Sequence, residues 1–297
     1  MRRVLCAGHV NWDVTLRVDD LPERDGEARI EQRRGAGGGS AANVACALAG
    51  LGVDAALFGS VGDDDPGRLA RRELETAGVD CRHLVETDGS TAVKYLVVDG
   101  DGEVVVLGSD GANEAFAPDD LAPGAIRRVD HLHLTGQRPE TAARLADRAR
   151  EADATVSFDP GRRLCVRDYS ATLERADVVF LNEREADALA DALSSDARGW
   201  LDATVLVVTQ GAGGARVRTA GDRYRHPGYD VTPIDTTGAG DAFAAGFLAA
   251  CDGGLPEGGR GYERALAAAN ACGALASTVT GARADLSADD VRTLVAG

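Results

Sequence analysis

The stretch Asp235-Thr236-Thr237-Gly238-Ala239-Gly240-Asp241 holds the residues of this chain best suited to do chemistry. Gly238, Ala239 and Gly240 carry no bulk, and they precede a helical pattern in which Phe243, Phe247 and Leu248 share a face. Small side chains let successive backbone N–H groups point outward, and the helix start adds partial positive charge. The turn can therefore hold an anion without a cationic side chain. Asp241 follows in the first helical turn. A carboxylate there can take the proton of a hydroxyl that attacks a phosphorus held by the amides, a contribution on the order of 10²–10⁴ in rate. No Gly-Lys-[Ser/Thr] follows the glycines, so the turn is not a Walker-type phosphate loop. An aspartate at a Gly-rich helix start is also favourable through the dipole alone, and the short pattern by itself leaves both readings open.

The rest of the chain constrains what such a turn could serve. Its 297 residues carry a formal net charge of −16, which repels nucleic acid and anionic membrane and excludes both as bulk partners. An anionic ligand has to be held by locally fixed amides or cations. Basic residues are lopsided, with Lys94 the one lysine among 31 arginines. Acidic, lysine-poor composition is what a salt-loving organism uses, although GC bias gives the same arginine skew; at 1 M salt a Debye length of ~3 Å quiets self-repulsion. The six cysteines form no C-x-x-C pair and sit mostly in apolar runs, so they read as reduced, buried and unmetallated. No h-region and no run of 18 apolar residues is present, which predicts a soluble, cytoplasmic protein.

Stepping outward, the pattern predicts strands over 4–7, 54–61, 131–134, 155–158, 178–181 and 205–209. Helices are predicted over 40–50, 66–77, 140–152, 183–193, 239–251, 263–278 and 288–295. Ser40 is the expected cap of the first helix, residues 35–39 read as a Gly-rich turn, and the loop 252–260 as mobile. Alternating strands and helices predict a mostly parallel sheet covered on both faces, with ligands at the carboxyl ends of its strands. The β-branched runs 92–98 and 103–107 break this rhythm. Asp99-Gly100-Asp101-Gly102 between them marks a hairpin, a candidate small sheet joined by 14–18 and 28–32.

Two signatures together resemble the ribokinase-like (PfkB) carbohydrate kinases. Asp235-Thr-Thr-Gly-Ala-Gly-Asp-Ala-Phe is similar to the family's C-terminal motif, and Gly37-Gly38-Gly39-Ser40-Ala41-Ala42-Asn43-Val44-Ala45 with Leu51-Gly52 to its N-terminal one. They lie about 200 residues apart, in the family's order. The resemblance implies a single α/β/α sandwich over residues 1–297, with a small β-sheet lid formed by segments at about 12–35 and 91–112. It implies an ATP-dependent sugar kinase with Asp241 as base and Gly238, Ala239 and Gly240 as anion hole. Asn11, Asp13, Gly37, Gly38 and Asn43 fall where the family holds sugar hydroxyls. Asn182 and Glu185 resemble the N-x-x-E that organises Mg²⁺ through water, and magnesium commonly keeps several waters. Thr209, Gly211 and Gly214 resemble the turn lining the nucleotide, and Asn270 falls at an adenine- or ribose-contacting position. Asp235 and Thr237 sit where the family often binds a monovalent cation such as K⁺. A homodimer through the lid is also implied.

For the acceptor the sequence offers Lys94, on the first lid strand, and Arg163 in Asp159-Pro160-Gly161-Arg162-Arg163. The latter resembles the Asp-Pro-Asn-x-Arg stretch of hexose and 2-keto-3-deoxygluconate kinases, with Gly161 replacing the usual Asn. If both cations face the pocket, a sugar acid or sugar phosphate is expected; if neither, a neutral pentose or hexose. A nucleoside acceptor would need an aromatic surface, for which Trp12 and Tyr95 are the candidates. The contrasting class is a non-catalytic sugar-binding sensor, against which Asp241 and its anion hole argue.

Overall fold

The computed structural model describes residues 3–122, 124–192, 203–251, 254–256 and 258–297. From the N-terminus β1 (Arg3–Ala7) enters the centre of the molecule, and β2 (Asn11–Val18) and β3 (Ile30–Gly38) step out of it. Then α1 (Ser40–Gly50), β4 (Asp54–Gly62), α2 (Asp65–Thr76) and β5 (Asp80–Thr87) return, and β6 (Ala92–Val98) and β7 (Val104–Gly108) step out again. The βα rhythm resumes with β8 (His131–Thr135), α3 (Pro139–Arg150), β9 (Thr155–Asp159), the short α4 (Ser170–Leu173), β10 (Val178–Asn182), α5 (Glu183–Ala192) and β11 (Val205–Thr209). The hairpin β12 (Ala215–Arg218) and β13 (Arg223–His226) follows, and α6 (Ala239–Ala250), α7 (Gly259–Ser277) and α8 (Ala288–Ala296) close the chain.

The large sheet has nine strands in the order β13-β12-β11-β10-β9-β8-β1-β4-β5. Every pair from β11 to β5 is parallel; β12 and β13 extend the edge antiparallel. Its central strands are apolar at successive positions because both faces are covered. Val4 and Cys6 point into one core with α1, α6 and α7, whereas Leu5 and Ala7 point into a second with α3 and Phe158. This makes the α/β/α sandwich. Strand order reverses at β1, whose neighbours are β4 on one side and β8 on the other, so the crevice beyond β1 and β8 is the switch point where such sheets bind ligands.

A second sheet of four strands, β3-β2-β6-β7, stands beyond the carboxyl ends of β1 and β5. It is mixed: β2 pairs antiparallel with β3 and parallel with β6, in a register that sets Asp13 opposite both Ala36 and Lys94. Residues 35–38, expected as a turn, are the last stretch of β3. Their glycines serve close approach. Gly35 lies against the Trp12 ring, and a Cβ at Gly38 would run into the Asp13 carboxylate. The turn itself is Gly39, at φ 96°, and it rather than Ser40 stands at the cap of α1.

Four elements escaped the pattern, one of them α4, whose four residues are too few to show a helical period. β5 is only half apolar, and β12 and β13 expose every second side chain, so none forms an apolar run. Helix α7 begins four residues earlier than expected, at Gly259, inside the loop read as mobile; residues 252, 253 and 257 of that loop, and Leu193 at the end of the fourth predicted helix, lie outside the described residues. Among the described residues no disulfide joins the cysteines; four of them are buried, but Cys165 is exposed because it lies in a 3-10 turn after β9 rather than in the core.

Candidate active site

Helix α6 opens from Gly238, which is left-handed at φ 76°. Any Cβ there would collide with the carbonyl of Ala282, so the sharp entry requires glycine. The entry brings Asp241, in the first turn, against α1. There the Asn43 Nδ2–H donates to Asp241 Oδ2 at 2.8 Å. Burial raises the Asp241 carboxyl to about 6, against the pull of the Asn43 amide, the Ser40 hydroxyl and the charges of Lys94 and Arg283. The two glycine motifs, 198 positions apart at Asn43 and Asp241, thus meet in one hydrogen bond.

Beside them lies a set of polar groups without partners. Asn11 is buried, and neither its Oδ1 nor Asp13 Oδ1 has a hydrogen-bond partner among the described residues. Burial raises the Asp13 carboxyl, opposed by Lys94 and Arg283. Lys94 stands next to Asp13 across the β2–β6 pair. Gly37 and Gly38 are joined to this set by a residue the motifs do not mark. Arg283 donates from Nε to Asn43 Oδ1 at 3.1 Å and from Nη2 to the Gly38 carbonyl at 3.1 Å. Its Nη1 pairs with Glu73, which in turn accepts the Gly37 N–H at 2.7 Å.

On the other side of Asp241 the site widens into a cleft of about 950 Å³ whose walls include Asn182, Thr209, Gly211, Gly214, Ala239, Gly240 and Asn270. A smaller pocket of about 410 Å³, lined by Ser40, Asp159, Arg162, Glu185, Gly238 and Asp241, shares Asn182, Thr209 and Gly240 with it. Every residue expected around the nucleotide therefore borders one space. Several of them are also committed to the fold. Asn182 and Glu185 cap α5 reciprocally, each side chain accepting the other's backbone N–H at 2.9 Å. Asn270 donates to the carbonyl of Leu266, one turn back, which leaves its oxygen available. Gly214 is required by backbone closeness, since a Cβ would strike the His226 carbonyl. Asp235 ties two loops together by accepting the N–H groups of Thr237 and Gly281, both at 2.9 Å. Burial opposes, but these bonds prevail and lower its carboxyl below the usual range.

Glu185 and Asp159 put hard carboxylate oxygens in the smaller pocket, and burial with the nearby Asp241 and Glu185 charges pushes Asp159 up to about 8. No cluster of three metal-binding side chains exists among the described residues. This donor set fits a magnesium ion carried by waters and ligand phosphates rather than a protein cage.

Four further features had no signal in the sequence. Arg283 is one. Arg162, rather than its neighbour Arg163, lines the smaller pocket. Gln137 is fully buried at the end of β8, with neither amide atom partnered, and its oxygen lies near Gly8 beside the unpartnered Thr135 hydroxyl. Glu114 is the fourth: Arg163, which the sequence did mark, pairs with it at 3.0 Å. These come from loops joined only by the fold, so no local spacing marks them.

Comparison with known proteins agrees with this geometry. The model of the pfkB family carbohydrate kinases matches residues 1–289. The chain is 58% identical over 293 residues to an ATP-dependent ribose-1-phosphate kinase of Halopiger xanaduensis, covering 98% of this chain and 97% of that one. It is 32% identical over 256 residues to a nucleoside kinase of Methanothermobacter thermautotrophicus, covering 84% and 82%. The ribokinase of Thermotoga maritima superposes with a TM-score of 0.85 over the whole of both chains at 23% identity. The nucleoside kinase of Methanocaldococcus jannaschii does so at 0.86 and 26% identity, over 100% of this chain and 98% of that one. The chain belongs to the pfkB family of carbohydrate kinases and has the ribokinase-like fold. It is an enzyme, an ATP-dependent kinase acting on a sugar or nucleoside.

Proposed function

We propose that this kinase transfers the γ-phosphate of ATP to the primary hydroxyl of a phosphorylated pentose, ribose 1-phosphate. The observation that carries the reading is the partly buried Asp241 carboxylate, held by Asn43 in the first turn of a helix and between two differently built spaces. The relative at 58% identity moves the acceptor from a free sugar or sugar acid to a sugar phosphate. The cation Lys94, beside Asp13, supports this. A nucleoside has less support, because Trp12 is buried against Gly35 and offers no open face, which leaves Tyr95.

In this reading Asn11, Asp13, Asn43 and the backbone at Gly37 and Gly38 hold the sugar hydroxyls, the first two through the atoms that have no partner among the described residues. The acceptor O–H proton passes to Asp241 as the new O–P bond forms and the bond from the γ-phosphorus to its bridging oxygen breaks, releasing ADP. Charge on the transferring group is met by the N–H groups of Gly238, Ala239 and Gly240. Thr209, Gly211, Gly214 and Asn270 line the nucleotide. Glu185 and Asn182 would hold Mg²⁺ through water, and the ion would supply charge neutralisation to the triphosphate. A monovalent cation such as K⁺ would find spare lone pairs on Asp235 and stiffen the loop behind the amides.

The small sheet also supports the homodimer. All of β7 is exposed, Val106 at 59% and Leu107 at 58%, an apolar edge that a second copy of the sheet would cover. No described helix is long and apolar enough to cross a membrane, and the acidic composition suits a salt-rich cytoplasm.

The test is a coupled ADP-release assay at high KCl with ribose 1-phosphate, ribose, fructose, 2-keto-3-deoxygluconate and adenosine. The phosphorylated pentose should exceed the others in kcat/KM by at least ~100-fold, as for acceptors lacking a buried charged contact. Equal or better use of any of the others overturns the choice of acceptor.

A further inference from the structure

Four basic side chains from three strand ends converge on one carboxylate. His9 follows β1, Arg138 follows β8, and Arg163 and Arg167 follow β9. Glu114, from the segment after β7, accepts contacts from His9 Nε2 at 3.1 Å, Arg163 at 3.0 Å, Arg167 at 2.6 Å and Arg138 at 3.5 Å. The Glu114 side chain is 15% exposed. Burial would raise its carboxyl, but His9 and Arg167 outweigh burial and take it down to about 2. Among the described residues the other acid paired with these cations is Asp110, 3.8 Å from Arg163 and 98% exposed, where water screens it.

One guanidinium would suffice to neutralise Glu114. Three gathered in one place repel one another, and in a chain of net charge −16 this local surplus stands against the overall balance. The surplus also lies at the switch point of the sheet, on the acceptor side. Arg138 follows Gln137, whose buried amide side chain lacks a partner among the described residues, and the aliphatic stem of Arg163 packs at Gly136. His9 sits two residues before Asn11 and touches Gly39 through its carbonyl. A dianionic phosphate monoester has the charge and the three acceptor oxygens to use the N–H groups that Glu114 leaves free, and arginine matches phosphate bidentately.

We propose that His9, Arg138, Arg163 and Arg167, spaced by Glu114, form the seat of the phosphate that the acceptor already carries. Glu114 is a positioning residue that holds the guanidinium groups apart and aimed. The assignment rests on the reading of the acceptor as a phosphorylated pentose. It goes further by placing phosphate recognition away from the small-sheet residue Lys94, at the ends of β1, β8 and β9.

The experiment compares kcat/KM for ribose 1-phosphate and for ribose, each with ATP, in the wild-type enzyme and in Arg163→Gln, Arg167→Gln and Arg138→Gln. The ratio of the two should fall by at least ~30-fold in the first two variants and by ~10-fold in the third, through KM for ribose 1-phosphate. Arg138 is 63% exposed, so its replacement keeps the fold even if the inner pair does not tolerate change. Wild-type enzyme without preference for ribose 1-phosphate would remove the reading on which the assignment rests. A wild-type preference that survives within threefold in Arg138→Gln and in every folded inner variant would show that the arginines only scaffold the loops, and the assignment would be lost.

Discussion

At the start of α6, the groups proposed to meet a phosphoryl group are backbone amides and a single carboxylate. Around Glu114 they are long cationic side chains drawn from three strand ends. The first region is formed by one short stretch of chain, and its geometry depends on a left-handed Gly238 that tolerates no Cβ. The second has ordinary backbone and depends on tertiary packing to bring its charges together. The contrast has a chemical reason. A group in transfer changes its charge and geometry, and fixed dipoles meet it without moving. A phosphate that only anchors the substrate keeps its charge, so ion pairs serve, provided something like Glu114 fixes their spacing.

The largest effect expected is at the amide end. Asp241→Asn keeps the shape and the bond to Asn43 but removes the proton acceptor. Turnover should fall by about 10²–10⁴ while binding of the acceptor, read by calorimetry without ATP, persists. Turnover within threefold of wild type would remove Asp241 as base. Gly238→Ala tests the backbone half of the same claim. A methyl group at φ 76° would press on the Ala282 carbonyl and displace the amides, and a shift of ~1 Å costs on the order of 100-fold in rate. The measurement is kcat alongside Tm, since strain there also costs ~1–3 kcal/mol of stability. Unchanged kcat would mean that the turn does not shape the transition state.

The same contrast explains what the sequence made legible. Alternating patterns gave the sandwich, the register of α1 and α6 and the hairpin of the small sheet, because each depends on local periodicity. Asp241 and Gly238 stood out because glycine spacing records a backbone geometry, and Asn43 stood out only through the family resemblance. β12 and β13 were not, since an edge hairpin exposed on alternate residues lacks an apolar run. Nor was Arg283, one of 31 arginines, whose three partners lie at positions 38, 43 and 73. Glu114 and Gln137 were invisible for the same reason: their environment is created by loops far apart in the chain. Residues 35–38 were misread because glycine serves close approach as readily as turning.

Arg283 is where the two regions can be compared in a single side chain, as it uses a cation to set the base. Its charge, with that of Lys94, holds the Asp241 carboxyl below what burial alone would impose, to about 6. Activity in the wild type should therefore drop tenfold per pH unit as pH falls through about 6, where the carboxylate takes up a proton. Arg283→Gln removes the charge and the bond that orients Asn43. With less positive charge nearby, the protonated form gains, the Asp241 carboxyl moves up, and the acid limb of kcat moves to higher pH. A loss of ~10-fold in kcat at pH 7 is expected, partly recovered at pH 9, where the raised carboxyl is again ionised. A purely structural role would lower kcat equally at all pH values and leave the limb in place. The direction of that limb therefore decides whether Arg283 tunes the base or merely ties the C-terminal loop to Gly38.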